Sequence, residues 1–249
     1  MIICSRHTES EVSMLLSLAG LTVEVKNKYQ YVEKIAADYT VNEGDVDFSV
    51  EVDDKDIENE KELSEYEFEV GYLESIAIYR KIAERLPEYD AVVFHGAVIA
   101  EGSEAYAITA RSGVGKTTHV SLWQRAFGDA VHILNGDKPI LRIINGRVYA
   151  AGTPWRGKEG YGVPEMLPLS AVGFLKRAAE PSAVPITKDA AMIGFASQIY
   201  IPSTPAGASG ALAVLSRIIS SVSLYEIRAN MDVSSAIVSH DALKKNKKA

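Results

Sequence analysis

Residues 110–117 read Ala-Arg-Ser-Gly-Val-Gly-Lys-Thr, and no other stretch constrains the chain as tightly. An apolar run at Ala105–Thr109 leads into it. The segment leaving it, Lys116–Phe127, has Val120, Leu122 and Trp123 on a helical pattern and closes at Gly128. A glycine-rich turn between strand and helix, ending in Gly-Lys-Thr, is the pattern of a phosphate-binding loop. It is met at Gly115, Lys116 and Thr117, while Ala110 stands where the pattern has its first glycine. Gly113 and Gly115 let the backbone turn left-handed, so that successive N–H groups from Ser112 through Gly113, Val114, Gly115, Lys116, Thr117 and Thr118 face a phosphate. Lys116 is expected to place its charge on the β and γ oxygens, and Thr117 to offer its hydroxyl to Mg²⁺. The helix start adds its positive end. The expected ligand is ATP or another nucleoside triphosphate.

Phosphoryl transfer on such a loop needs a carboxylate for the metal or for the acceptor's proton. The apolar run Val131–Leu134 ends in Asn135-Gly136-Asp137-Lys138-Pro139. That spacing puts Asp137 at a strand's C-terminal end, where the phosphates would lie, and makes it the candidate base and metal ligand. Asn-Gly-Asp is also an ordinary turn sequence.

Around these motifs the pattern is α/β: a core of mixed β-sheet with flanking helices around the phosphate loop (residues 91–249), preceded by a small acidic α+β region (residues 1–90). Within the first region, Leu21–Val25 and Phe48–Val52 alternate as half-buried strands do. Fourteen acidic side chains lie between Glu43 and Glu74, and residues 54–69 read as an exposed helix or loop. Residues 71–86 carry a helical stripe that Pro87 ends. In the second region, residues 91–94, 140–144 and 148–151 read as further strands, the last after the Asn145-Gly146 turn. Helices are expected near residues 189–200 and 209–220, a strand at 223–228, and a final helix from about Asp232. Residues 152–162 hold Gly152, Gly157, Gly160 and Gly162 together with Trp155, Lys158 and Tyr161, which predicts a mobile loop closing over the site. Lys158 is then a candidate to neutralise phosphate charge, and His119 reads as structural.

Composition narrows the partners. With 26 Lys and Arg against 33 Asp and Glu, the chain lacks the basic face that nucleic acid demands. The lysines at 244, 245, 247 and 248 read as a solvated helix end. Cys4 is the only cysteine among 249 residues, so no internal disulfide forms, and the apolar run near Met14–Leu21, preceded by Glu9 and Glu11, is a poor export signal. No run is long enough for a membrane span. The expectation is a cytoplasmic protein with no nucleic-acid or membrane partner.

Phe94-His95-Gly96, residues 112–119 and Asn135–Pro139 together resemble the C-terminal domain of HPr kinase/phosphorylase, which is similar in turn to ATP-dependent phosphoenolpyruvate carboxykinase. Residues 71–75 and Thr153–Lys158 extend the resemblance to uncharacterised bacterial relatives of that kinase. It implies that Lys116 contacts phosphates, that Thr117 ligates Mg²⁺ and that His95 sits beside the transferred phosphoryl group, and it points toward a homo-oligomer. The family's two adjacent aspartates are here Gly136 and Asp137. The chain is therefore expected to be a Mg²⁺-dependent kinase acting on a hydroxyl of a small molecule or a protein serine. The alternative is a nucleotide-binding regulatory module weakened by Gly136. Neither a guanine-recognition signature nor an ABC-type signature is present, which disfavours a GTPase switch or a transport ATPase.

Overall fold

The computed structural model describes residues 12–245. Cys4, Glu9 and Glu11 of the N-terminus, and Lys247 and Lys248 of the tail, lie outside the described residues. The chain divides into two compact units, residues 1–82 and 83–249.

The first unit contains β1 (Val12–Leu18), β2 (Leu21–Asn27), α1 (Gln30–Ala36), β3 (Thr40–Val41), β4 (Phe48–Glu51) and α2 (Asp54–Glu62). Its sheet runs β3-β1-β2-β4. The β1–β2 hairpin turns on Ala19 and Gly20, with φ of 53° and 74°, the positive-φ pair that a tight two-residue turn uses. β1 was not foreseen as a strand. The acidic stretch is helical only to Glu62 and open beyond. Asp53 caps α2 by accepting from the Asp56 N–H, while the Asp56 carboxylate accepts from the Asp53 N–H, a reciprocal capping box. The boundary between the units falls inside α3 (Val70–Arg85).

The second unit is built on β5 (Ala91–Val93), β6 (Ala97–Glu101), β7 (Glu104–Thr109), α4 (Lys116–Phe127), β8 (Val131–Asn135), β9 (Ile140–Ile144) and β10 (Arg147–Ala151). It continues with β11 (Met166–Arg177), β12 (Ser182–Pro185), α5 (Lys188–Ala196), α6 (Pro205–Ser221), β13 (Ser223–Ala229) and α7 (Ser234–Lys245). The strands form one mixed sheet in the order β5-β9-β10-β11-β7-β6-β8, with β13 on β11 and β12 on β13. The long strand β11 begins antiparallel to β10, then runs parallel between β7 and β13. The expected α/β core of mixed sheet with flanking helices is thus the observed one.

Both faces of this sheet are covered. Val98, Ala100, Ala105, Ala107, Val172 and Leu224 pack with Phe195 of α5 and Val214 and Leu215 of α6. The alternate residues Ile99, Tyr106, Ile108, Leu175 and Ile227 pack with Val120 and Trp123 of α4 and Leu243 of α7. Side chains alternate across a strand, so a sheet buried on both sides needs apolar residues at nearly every position. The central strands accordingly carry no polar alternation, and β6 and β11 escaped the sequence reading; β12, a short half-exposed strand paired with β13, was missed as well. α6 starts earlier than expected, because Thr204 caps it by accepting from Gly207 N–H and Pro205 stands at its first turn. α5 stops at Ala196, and Ile199 forms an antiparallel bridge with Phe94. No helix among the described residues is long and apolar enough to cross a membrane.

Candidate active site

Register places the candidate residues at one edge of the sheet. β6 runs antiparallel to both β7 and β8, with Ala97 opposite Ile108 and Val98 opposite Asn135. β7 and β8 therefore end on the same side as the start of β6. The loop after Thr109, the turn after Asn135 and the His95-Gly96 link into β6 are brought together there. The Gly96 N–H donates to the Asp137 carbonyl at 3.1 Å, and the Thr109 hydroxyl to the His95 carbonyl at 2.9 Å.

The glycine-rich loop between β7 and α4 has the left-handed glycines that the sequence predicted. Gly113 and Gly115 take φ of 76° and 115°, where a side chain is strained. Gly115 is the N-cap of α4 and provides no side-chain cap, so the first N–H groups of the helix are left for a ligand. Ala110 has no positive φ, which accounts for a residue other than glycine there. His119 lies on the buried side of this helix at 2% exposure. Its Nε2 is 3.0 Å from Ser239 Oγ, which also accepts from Trp123 Nε1 at 2.9 Å. Burial pulls the His119 pKa down to about 4, so the imidazole is neutral, in line with a structural role.

Asp137 is the hub of the site. Its Oδ1 lies 3.4 Å from His95 Nε2 and 3.9 Å from Lys116 Nζ, and its Oδ2 is 3.0 Å from Lys138 Nζ. Burial opposes ionisation of this carboxyl, but the hydrogen bond from His95 and the charge and hydrogen bond of Lys138 outweigh it and hold the pKa well below the usual carboxylate range. Lys116 is pulled below the ordinary lysine value by burial, with the Asp137 charge acting the other way. The turn is fixed from behind. Asn135 Oδ1 accepts from the Asp137 and Lys138 N–H groups at 2.9 and 2.8 Å, and its Nδ2 donates to Thr153. Thr153 Oγ1 in turn donates to the Lys138 carbonyl at 2.7 Å. Asn-Gly-Asp is therefore a turn, and that turn is what presents the carboxylate.

The structure brings together Lys116, Asp137 and His95, and the loop that carries Lys158 lies beside them: a Cβ on Gly157 would stand 2.9 Å from Asp137 Cβ, and the Glu159 charge acts on Lys116. Lys158 stands exposed at a loop tip, and no ion pair or hydrogen bond joins it to the cluster among the described residues. The segment predicted as a mobile loop is packed at both ends. Trp155 is 8% and Thr153 1% exposed. Gly136 N–H donates to Tyr161 O at 3.0 Å, and Val163 N–H to Leu134 O at 3.1 Å. Its two ends are thus held against β8 and its turn, and residues 157–160 alone are exposed. Sequence reasoning missed Lys138 as a partner of Asp137, and it missed Arg177. The Arg177 Nε donates to Val114 O at 2.9 Å and its Nη2 to Gly113 O. Lys138 adjoins Asp137 in the sequence and was within reach of inference; nothing local marks Arg177.

The packing also explains Gly136. It has no positive φ, so glycine is not required by the backbone. A Cβ there would lie 3.2 Å from the Arg156 carbonyl oxygen and 3.4 Å from Tyr161 Cβ. A second carboxylate beside Asp137 would therefore require the loop to give way by a few tenths of an ångström.

No family model matches the chain, and no curated protein sequence matches it significantly. Among solved structures it is similar to the Hpr(Ser) kinase/phosphatase from Coxiella burnetii, at 10% identity and a TM-score of 0.35, over 62% of this chain and 99% of that one. Both values are low, and the likeness carries no argument about function.

Proposed function

We propose that this chain binds a nucleoside triphosphate on the loop 112–118 and transfers its γ-phosphoryl group to a hydroxyl acceptor, a small molecule or a protein serine. The observation that carries this reading is the convergence of Lys116, His95 and Lys138 on the ionised Asp137 at the mouth of a glycine-rich loop. A loose phosphoryl-transfer transition state asks for positioning and charge more than for covalent chemistry. The loop amides and Lys116 hold the β and γ phosphates. Asp137 accepts the hydroxyl proton as the acceptor oxygen bonds to phosphorus and the bond to the β-phosphate oxygen breaks, releasing the nucleoside diphosphate. His95 steadies the carboxylate and faces the transferred group.

Mg²⁺ fits the residues present. Thr117 in the first turn of α4 and the ionised Asp137 are hard oxygen donors, and Mg²⁺ ordinarily takes its other ligands from phosphates and water. With two protein oxygens and the remaining ligands from phosphate and water, the ion would arrive with the nucleotide. When bound, it would supply charge neutralisation for the phosphates.

A second reading, a regulatory nucleotide-binding module that turns over weakly, is favoured by Gly136 and the loop packed upon it. Mg²⁺-dependent ADP formation in the wild type and in Asp137→Asn separates them. A kinase loses turnover in the variant and keeps nucleotide binding. Equal rates in both proteins would remove Asp137 from the chemistry.

A further inference from the structure

Arg177 is the last residue of β11. The strand pairs with β7 as far as Phe174 opposite Thr109, and with β13 to the end, Arg177 opposite Ala229. β11 therefore outruns β7 at the point where β7 gives way to the phosphate loop, and its terminal side chain reaches that loop. The guanidinium presents two donors from one planar edge, and here they meet two successive carbonyls, those of Val114 and Gly113. A lysine ammonium lacks that paired, planar geometry.

The peptide group is planar and trans, so a carbonyl held in one direction aims the next residue's N–H in the other. With Val114 C=O on the guanidinium, the Gly115 N–H is turned away from Arg177. With Gly113 C=O held likewise, the Val114 N–H points to the opposite side, where it donates to Arg111 O at 3.2 Å and closes the turn. Two consecutive peptide planes are thereby fixed between residues whose φ of 76° and 115° leave glycine otherwise free to rotate.

We propose that Arg177 is a positioning residue of the phosphate loop: it anchors the Gly113 and Val114 carbonyls, so that the Val114 amide closes the turn on Arg111 O and the Gly115 amide stands ready for phosphate. This rests on the phosphate-loop reading of residues 112–118. The guanidinium spends its in-line donors on the loop and acts on a nucleotide through the loop rather than by touching it.

The test compares the wild type with Arg177→Ala and Arg177→Lys, using Mg-ATP as ligand and backbone amide hydrogen exchange on the nucleotide-free proteins. Arg177 is exposed, and both variants are expected to melt with the wild type. In Arg177→Ala, ATP affinity should fall about tenfold, the scale of one charge-assisted hydrogen bond. The Val114 amide should exchange several-fold faster, and millimolar guanidinium should restore part of the affinity. Arg177→Lys should recover less than half of the loss, because a single ammonium cannot serve both carbonyls. Unchanged Val114 exchange in Arg177→Ala overturns the proposal whatever the nucleotide does. Faster exchange with unchanged ATP affinity also overturns it. A wild-type protein that binds no ATP while Val114 exchange responds to the substitution would overturn the phosphate-loop reading instead.

Discussion

Gly136→Asp puts a second carboxylate beside Asp137, and its consequences follow from the loop packed against that position. The new Cβ would stand 3.2 Å from Arg156 O, 3.4 Å from Tyr161 Cβ and 3.6 Å from Tyr161 O. Those contacts are tight without being prohibitive. Residues 156–161 need yield only a few tenths of an ångström, at a cost of about 1 kcal/mol. For a chain of this size that lowers the melting midpoint by about 2–4 °C. The new carboxylate stands next to the ionised Asp137, whose charge opposes its ionisation, while the lysines that Asp137 meets, Lys138 Nζ at 3.0 Å and Lys116 Nζ at 3.9 Å, act the other way. A well-placed acid–base group is worth about 10²–10⁴ in rate. If the absent carboxylate limits turnover, the variant should hydrolyse Mg-ATP, with water as acceptor, about a hundredfold faster than the wild type. Coupled detection of ADP at saturating ATP, alongside a thermal melt, measures both effects. A variant that melts within a few degrees of the wild type, binds ATP and hydrolyses it no faster would refute the argument that Gly136 limits activity.

Two further predictions concern charge. His119 has a pKa of about 4 in the folded chain against 6.5 when unfolded, so the unfolded state binds the extra proton between those values and stability is lost as pH falls through that window. The gap is worth about 3 kcal/mol. Urea titrations at pH 7 and pH 4.5 should show most of that loss in the wild type and little of it in His119→Gln, and an equal loss in both would place its source elsewhere. Asp137, held below its ordinary value, contributes stability that is present above about pH 4 and lost only below it, so the two effects separate by pH. In Asp137→Asn, ATP should still bind, because Lys116 and Lys138 lose a competing anion, while turnover drops by at least about a hundredfold. Unimpaired turnover in that variant would contradict the assignment of the base.

The parts of this site that were legible in the sequence are those built from local conformation. Gly113 and Gly115 announce a backbone that only glycine takes easily, and the apolar run before them and the helix after them are contiguous in the chain. Asp137 was legible for the same reason, as the acidic residue ending an apolar strand. The largest omission was β11, which lies parallel between β7 and β13 and is buried on both faces. Its sequence shows no alternation, and it contains Pro168 and Gly173, which read as breaks. Gly173 is in fact a close-packing position, since a Cβ there would lie 2.2 Å from Ile227 Cδ1. With β11 unseen, Arg177 could not be placed beside Gly113. The glycine-rich segment 152–162 misled in the other direction. Composition suggested mobility throughout, whereas Trp155 is buried and Thr153 joins the Asn135 turn through bonds between residues distant in sequence. Gly136 reads as a lost carboxylate in the sequence and as a packing contact in the structure.

The central claim is that Lys116 and its loop form a working nucleoside triphosphate site, and calorimetric titration of Mg-ATP into the wild type and Lys116→Ala tests it most directly. The account predicts saturable binding to the wild type that weakens in the absence of Mg²⁺ and falls about tenfold to a hundredfold in Lys116→Ala, the scale of one charged hydrogen bond. Equal affinity in the two proteins, or no binding to the wild type, would contradict it.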